Sequence, residues 1–250
     1  MLTRHREALL RSLYTRHGRK KSGMCVVEGV RCCRELFAAA PELVEFTLAT
    51  PELIEAEKIP GEVIALTADE IEKFGATCSS QGILSVARQP KTAVGAPETP
   101  FILLLDRLGD PGNFGTVLRT ARAAGLECVW YTKGSVDPYG DKAIRSALGA
   151  QFSMRLSAFD DLASAFDAAR EYGYNKHFIT DPHAGESCYA TGDLYAKSVV
   201  VIGGEANGVE AEAPGTRVTI PMPGGFESLN AAQAATIFIF EYVRRIMEGK

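Results

Sequence analysis

Five short apolar runs separated by helical patterns constrain this chain more than any other feature. The runs are "FILLLDR" (101–107), "CVWYTK" (128–133), "KHFITD" (176–181), "SVVVIGGE" (198–205) and "RVTIPM" (217–222). Apolar residues recur with a helical period over 114–124, 141–148, 159–172 and 229–247. A strand apolar at consecutive positions is buried on both faces, and helices between such strands supply the cover. This part of the chain is therefore expected to be an α/β domain with a mostly parallel sheet. Ligands of such sheets bind beyond the carboxyl ends of the strands.

Upstream, "REALLRSLY" and "VRCCRELFAAA" read as helices, while "GMCVVEG", "LVEFTLAT", "EVIALTA" and "ILSVARQ" read as strands. That is a second, small α/β domain. The proline-rich stretch "ARQPKTAVGAPETP" (87–100) separates the two. The expected division is a domain over 1–89, a linker over 90–100 and a larger domain over 101–250.

With 46% hydrophobic and 23% charged residues, the composition is that of a folded globular protein. No apolar run nears the roughly 20 residues that span a bilayer, and the charged N-terminus lacks a secretion-type apolar stretch, so the expected location is the cytoplasm, with no membrane partner. Six cysteines form no C-x-x-C pair, and histidines stand apart at 5, 17, 177 and 183. Buried, reduced thiols and no metal centre are expected; the adjacent Cys32 and Cys33 fit a buried helix face plus one neighbour better than a redox centre. Residues 1–35 hold nine Lys and Arg against three Asp and Glu, so the overall −4 splits into +6 here and −10 elsewhere. A basic arm of this kind meets phosphates, although a solvated helix face carries similar charge.

Three strand-end loops concentrate unusual residues. In "LDRLGDPGNFGTVLRTARAAG" (105–125), Asp110-Pro111-Gly112 is turn chemistry and Asn113 is an expected N-cap. Phe114, Val117, Leu118, Ala121 and Ala124 share one helix face, with Arg119 and Arg122 off it, either as plain surface arginines of an amphipathic helix or as a guanidinium that holds an anion near the helix start. In "VVVIGGEANGV" (199–209), Gly203 and Gly204 permit close approach to the backbone, and Glu205 follows them. In "IPMPGGFESLN" (220–230), prolines and glycines bend the chain, and Ser228 and Asn230 stand where a helix starts. That helix is apolar beyond one face, which implies burial on more than one side, by its own sheet and with a partner subunit as one candidate for the rest. His183 in "TDPHAGES" has the titration range of a general base, but a loop histidine is the plainer account. There is no phosphate-loop or dinucleotide fingerprint, which disfavours those nucleotide enzymes.

In this order, D-P-x-N-x-G-x-x-x-R-T-A, G-x-E-x-x-G and I-P-M-x-G-x-x-x-S-L-N resemble the three motifs of the SpoU (TrmH-like) branch of the SPOUT superfamily. "DKAIRSALGA" (141–150) is similar to the family's segment after the first motif, and "GRKKSGMCVVEGVRCCREL" (18–36) resembles its ribosomal-protein-like RNA-binding module. The resemblance covers 101–247 most specifically. It implies a SPOUT domain with a deep trefoil knot, S-adenosylmethionine as cofactor, RNA as partner, a homodimer through the catalytic domain, and 2′-O-ribose methylation, with large-subunit ribosomal RNA favoured. By motif position Gly203, Gly204, Ile220, Met222 and Leu229 line the cofactor pocket, while Asn113, Arg119, Glu205, Ser228 and Asn230 surround the target ribose. A guanidinium keeps its proton, so phosphate anchoring is the role expected of Arg119, with a water or an assisted arginine as alternative proton acceptors. A transfer RNA methyltransferase and a non-catalytic RNA-binding or assembly factor with the same fold are the competing functions. The family more often has Val-Ser-Val where "NAAQAATIF" (230–238) stands, a difference in helix packing.

Overall fold

The computed structural model describes residues 2–77, 81–91, 95, 97–204, 208–210 and 212–249. In chain order the elements are α1 (Arg4–Leu13), α2 (Arg16–Ser22), β1 (Met24–Glu28), α3 (Val30–Ala39), β2 (Val44–Ala49), α4 (Pro51–Ala56), β3 (Glu62–Ala65), α5 (Ala68–Glu72) and β4 (Ile83–Arg88). There follow β5 (Phe101–Asp106), α6 (Pro111–Ala123), β6 (Cys128–Thr132), α7 (Asp141–Ala147), β7 (Arg155–Phe159), α8 (Leu162–Glu171), β8 (Lys176–Thr180), β9 (Glu186–Ser187), β10 (Ser198–Gly203), β11 (Thr216–Thr219) and α9 (Ala231–Met247). They form two compact units, Met1–Lys91 with Asp137–Ser153, and Thr92–Val136 with Met154–Lys250.

The first unit holds a sheet of order β1-β4-β2-β3, with β4 antiparallel to both neighbours and β2 parallel to β3. Strand alternation sorts the side chains onto two faces. Val26, Phe46, Leu48, Leu84 and Val86 meet Leu10 and Leu13 of α1 and Ile71 of α5. Cys25, Val27, Ile83 and Ala87 meet Cys32, Cys33 and Leu36 of α3. Residues 137–153, which the sequence alone places with the C-terminal half, help close this second face, where Ile144 and Phe152 join the core. Arg19 anchors the same segment. Buried at 6% exposure, it donates from Nε to Asp137 Oδ2 at 2.7 Å and from Nη1 to the Leu13 carbonyl at 2.8 Å. One cation of the basic arm is thus structural. Cys25, Cys32, Cys33, Cys128 and Cys188 are buried free thiols, and Cys78 lies outside the described residues.

The second unit is a seven-stranded sheet of order β7-β6-β5-β10-β8-β11-β9, every pairing parallel. Five strands coincide with the apolar runs. The two that periodicity misses, β7 and β9, stand at the edges. β7 buries only part of its length and β9 has two residues, so neither needs a continuous apolar run. Ile102, Leu104, Trp130, Val199 and Val201 pack on Ala165, Phe166 and Ala169 of α8. Alternate residues Leu103, Leu105, Val200 and Ile202 are equally buried. Helices α6 and α9 pack side by side, with the Thr120 and Thr236 hydroxyls 3.5 Å apart.

Helix α6 starts earlier than expected. Asp110, and not Asn113, is the N-cap, accepting from the Asn113 N–H at 2.8 Å, with Pro111 in the first turn. Proline suits that position because its missing N–H would have had no partner there. The Asn113 side chain is thereby released from capping its own helix.

Candidate active site

The register of the parallel sheet pairs Gly203 with Asp106, so the first two loops leave adjacent strand ends. Beyond the ends of β8, β10 and β11 lies a cavity of about 540 Å³. Its floor is Ile202, Val218 and Phe238, each nearly or fully buried. Gly203 and Gly204 form one wall, and Ile220 and Met222 another. Ser228, Leu229 and Asn230 close the end nearest α9.

The glycine wall must be bare backbone. A Cβ on Gly203 would stand 2.5 Å from the Gly208 carbonyl carbon, and one on Gly204 would stand 2.3 Å from the Arg107 oxygen. No side-chain carbon fits at such separations, so only glycine lets these segments close on each other.

At the mouth of α9, Asn230 accepts from the N–H groups of Ala232 at 2.9 Å and Gln233 at 3.3 Å. Its amide Nδ2 donates to Asn113 Oδ1 at 3.1 Å. The capping expected of Asn230 is present, and the same side chain ties the first loop to the third. Seven of the ten residues singled out in the sequence therefore line this cavity, and an eighth, Asn113, is hydrogen-bonded to it.

Arg119 is not brought to the cavity wall. Its helix turns Phe114, Val117, Leu118 and Ala121 inward and uses Asn113 and Thr120 toward α9, which leaves Arg119 on an exposed flank. Glu205 lies outside the described residues. The wall contributed by Thr180, Asp181, Pro182 and His183 was not anticipated as a unit. Asp181 Oδ1 accepts from the N–H groups of His183 at 2.8 Å and Ala184 at 3.1 Å, an Asx turn that aims the loop. The Asp-Pro pair directly after β8 was the available signal. His183 lines the cavity while remaining exposed.

The lining chemistry narrows the ligand. No Lys or Arg is among the described lining residues, whereas Asp181 and Glu227 contribute carboxylates. A phosphate-bearing cofactor would find no counter-charge there, while a cationic ligand with an apolar, planar part suits an apolar floor, a backbone wall and an acidic rim.

A family model, the SpoU rRNA Methylase family, matches residues 100–240. The chain belongs to that family. Among curated relatives, the 23S rRNA (guanosine(2553)-2′-O)-methyltransferase RlmP of Bacillus subtilis is 29% identical over 239 residues, covering 92% of each chain. Among solved structures, a TrmH-family protein from Porphyromonas gingivalis superposes with a TM-score of 0.87 at 28% identity, over 98% of this chain and 99% of that one. The SpoU methyltransferase AviRb from Streptomyces viridochromogenes, in complex with the cofactor AdoMet, gives 0.82 at 26% identity over 97% and 99%.

Proposed function

We propose that this chain transfers a methyl group from S-adenosylmethionine to the 2′-hydroxyl of a ribose in large-subunit ribosomal RNA. That it is an RNA methyltransferase, and that its donor is S-adenosylmethionine, follow from its family and its likeness to a donor-bound structure. The single observation carrying the rest is the cavity where the second and third loops meet, glycine-walled, with no Lys or Arg among its described lining residues, and tied to the first loop through Asn230 and Asn113. The 2′-O position and the ribosomal target draw on RlmP.

Bound there, the donor supplies a methyl group already activated on a sulfonium. The chain's part is then placement and exclusion of water. In this reading Gly203, Gly204, Ile220, Met222 and Leu229 hold the donor through backbone and apolar contact. Asn113, Ser228 and Asn230, with Glu205, orient the ribose. Arg119, always protonated as a guanidinium, grips an RNA phosphate. The first unit carries the RNA-binding role, supported by exposed Arg16, Lys20, Lys21 and Arg31. The reading includes the knotted passage of the C-terminal segment, consistent with the close backbone approaches at Gly203 and Gly204. It also includes a homodimer, supported by the exposed Phe226, Phe240, Ile246 and Met247.

Calorimetry and a transfer assay on unmodified ribosomal RNA test this reading with one variant. Arg119→Ala is expected to keep donor affinity within about twofold, because the residue is off the cavity wall, and to lose at least about a hundredfold in turnover. A variant with wild-type turnover would remove Arg119 from the mechanism. Transfer to transfer RNA alone would move the substrate, and no transfer to any RNA would favour a non-catalytic binder.

A further inference from the structure

We propose that Arg107 is a positioning residue for the donor cavity, strapping the glycine loop that follows β10 onto the end of β5. The proposal rests on reading the cavity as the donor site. Arg107 has a φ of 51°, in the left-handed region, where a residue with a side chain is strained by about 1 kcal/mol or more. Such a conformation persists only where its surroundings over-determine it, and here they do. The Arg107 N–H donates to Thr132 Oγ1 at 3.0 Å, and the Leu108 N–H donates to Ser135 Oγ at 3.1 Å. The Thr132 hydroxyl in turn donates to buried Asp106 at 2.6 Å.

The side chain then reaches in two directions. Nε donates to Asp106 Oδ2 at 3.1 Å, and Nη1 donates to Glu210 Oε1 at 2.6 Å. Gly134 leaves room for its stem, since a Cβ there would stand 3.0 Å from Arg107 Cγ. Glu210 lies at the far end of the loop whose near end, Gly203-Gly204, is the cavity wall. Gly204 packs directly on the Arg107 carbonyl. One residue therefore holds both ends of the loop, by its carbonyl and by its guanidinium, and is itself absent from the cavity lining. The Glu210 carbonyl also accepts from Arg217 Nη2 at 3.0 Å, which ties the same point to β11. Because the Glu210 side chain is 66% exposed, the pair is open to solvent and is screened by salt.

Two variants separate the parts. Arg107→Gly removes the strap while relieving the strained backbone, and Glu210→Gln removes only the charged partner. Each is expected to raise the Kd for S-adenosylmethionine about three- to fivefold, with the double variant no weaker than the worse single one. Turnover at saturating donor is expected to stay unchanged. In donor-free protein the Gly208 amide, bonded to the Gly204 carbonyl at 3.0 Å, is expected to exchange with solvent severalfold faster in both variants. Wild-type affinity with unchanged Gly208 exchange would overturn the strap, and so would additive effects of the two changes. If the unaltered chain binds no S-adenosylmethionine, the donor-site reading fails instead, and Gly208 exchange alone decides the strap.

Discussion

Asn230 shows how one side chain can satisfy a structural and a functional reading at once. Its oxygen caps α9 and its nitrogen reaches Asn113. Serine at this position can still cap a helix but lacks the amide arm. Asn230→Ser should therefore stay within about 0.5 kcal/mol of the parent in denaturant unfolding, while Asn230→Ala should lose about 1 kcal/mol. Both should lose most methyl transfer. Full activity in the serine variant would reduce Asn230 to a cap. At this scale each loop alone also reads as turn and cap chemistry, and it is the three motifs taken in order that single these residues out. Arg119 is singled out by its motif position alone, since helical periodicity puts it on an exposed flank whatever its role.

Among the elements, α9 is the most constrained. Its Glu241 is buried at 4% exposure and holds Arg244 and Arg245. Arg245 goes on to donate to the carbonyls of Cys188 at 2.7 Å and Thr191 at 2.8 Å, clamping the segment after β9 to the helix. Hydrogen bonding from Arg244, reinforced by Arg245, holds the Glu241 carboxyl down from 4.5 to about 2. A depressed acid contributes stability that is complete above its unfolded value and fades as pH falls toward the folded one. Glu241→Gln should accordingly melt lower than the parent at neutral pH and show a flatter dependence between about pH 4.5 and pH 2. Parallel melting curves through that window would mean the clamp contributes nothing. The apolar excess of α9 was visible as sequence, but the clamp was not, because its partners are carbonyls more than fifty residues away. The edge strands β7 and β9 were illegible for a related reason, since an edge strand buries too little to leave a continuous apolar run.

Across the whole molecule, the sheet of the second unit was readable because burial on both faces writes long apolar runs into the chain. The membership of residues 137–153 was not, because it depends on Arg19 meeting Asp137 across 118 positions and on Ile144 and Phe152 completing a core begun near the N-terminus. Charge also acts at this scale, with the basic excess confined to residues 1–35 of an acidic chain. Lys20 and Lys21 are exposed on α2, so Lys20→Gln with Lys21→Gln should weaken RNA binding and lower the salt slope by about 0.7–0.9 for each phosphate contact removed. Donor affinity should not change. An unaltered slope would place the RNA elsewhere. The most direct measurement supplies the chain with S-adenosylmethionine and unmodified large-subunit ribosomal RNA and maps every methyl group acquired. The account predicts a 2′-O-methyl group on ribose at a defined position; methylation confined to a base, or no methylation of that RNA by a chain that binds the donor, would contradict it.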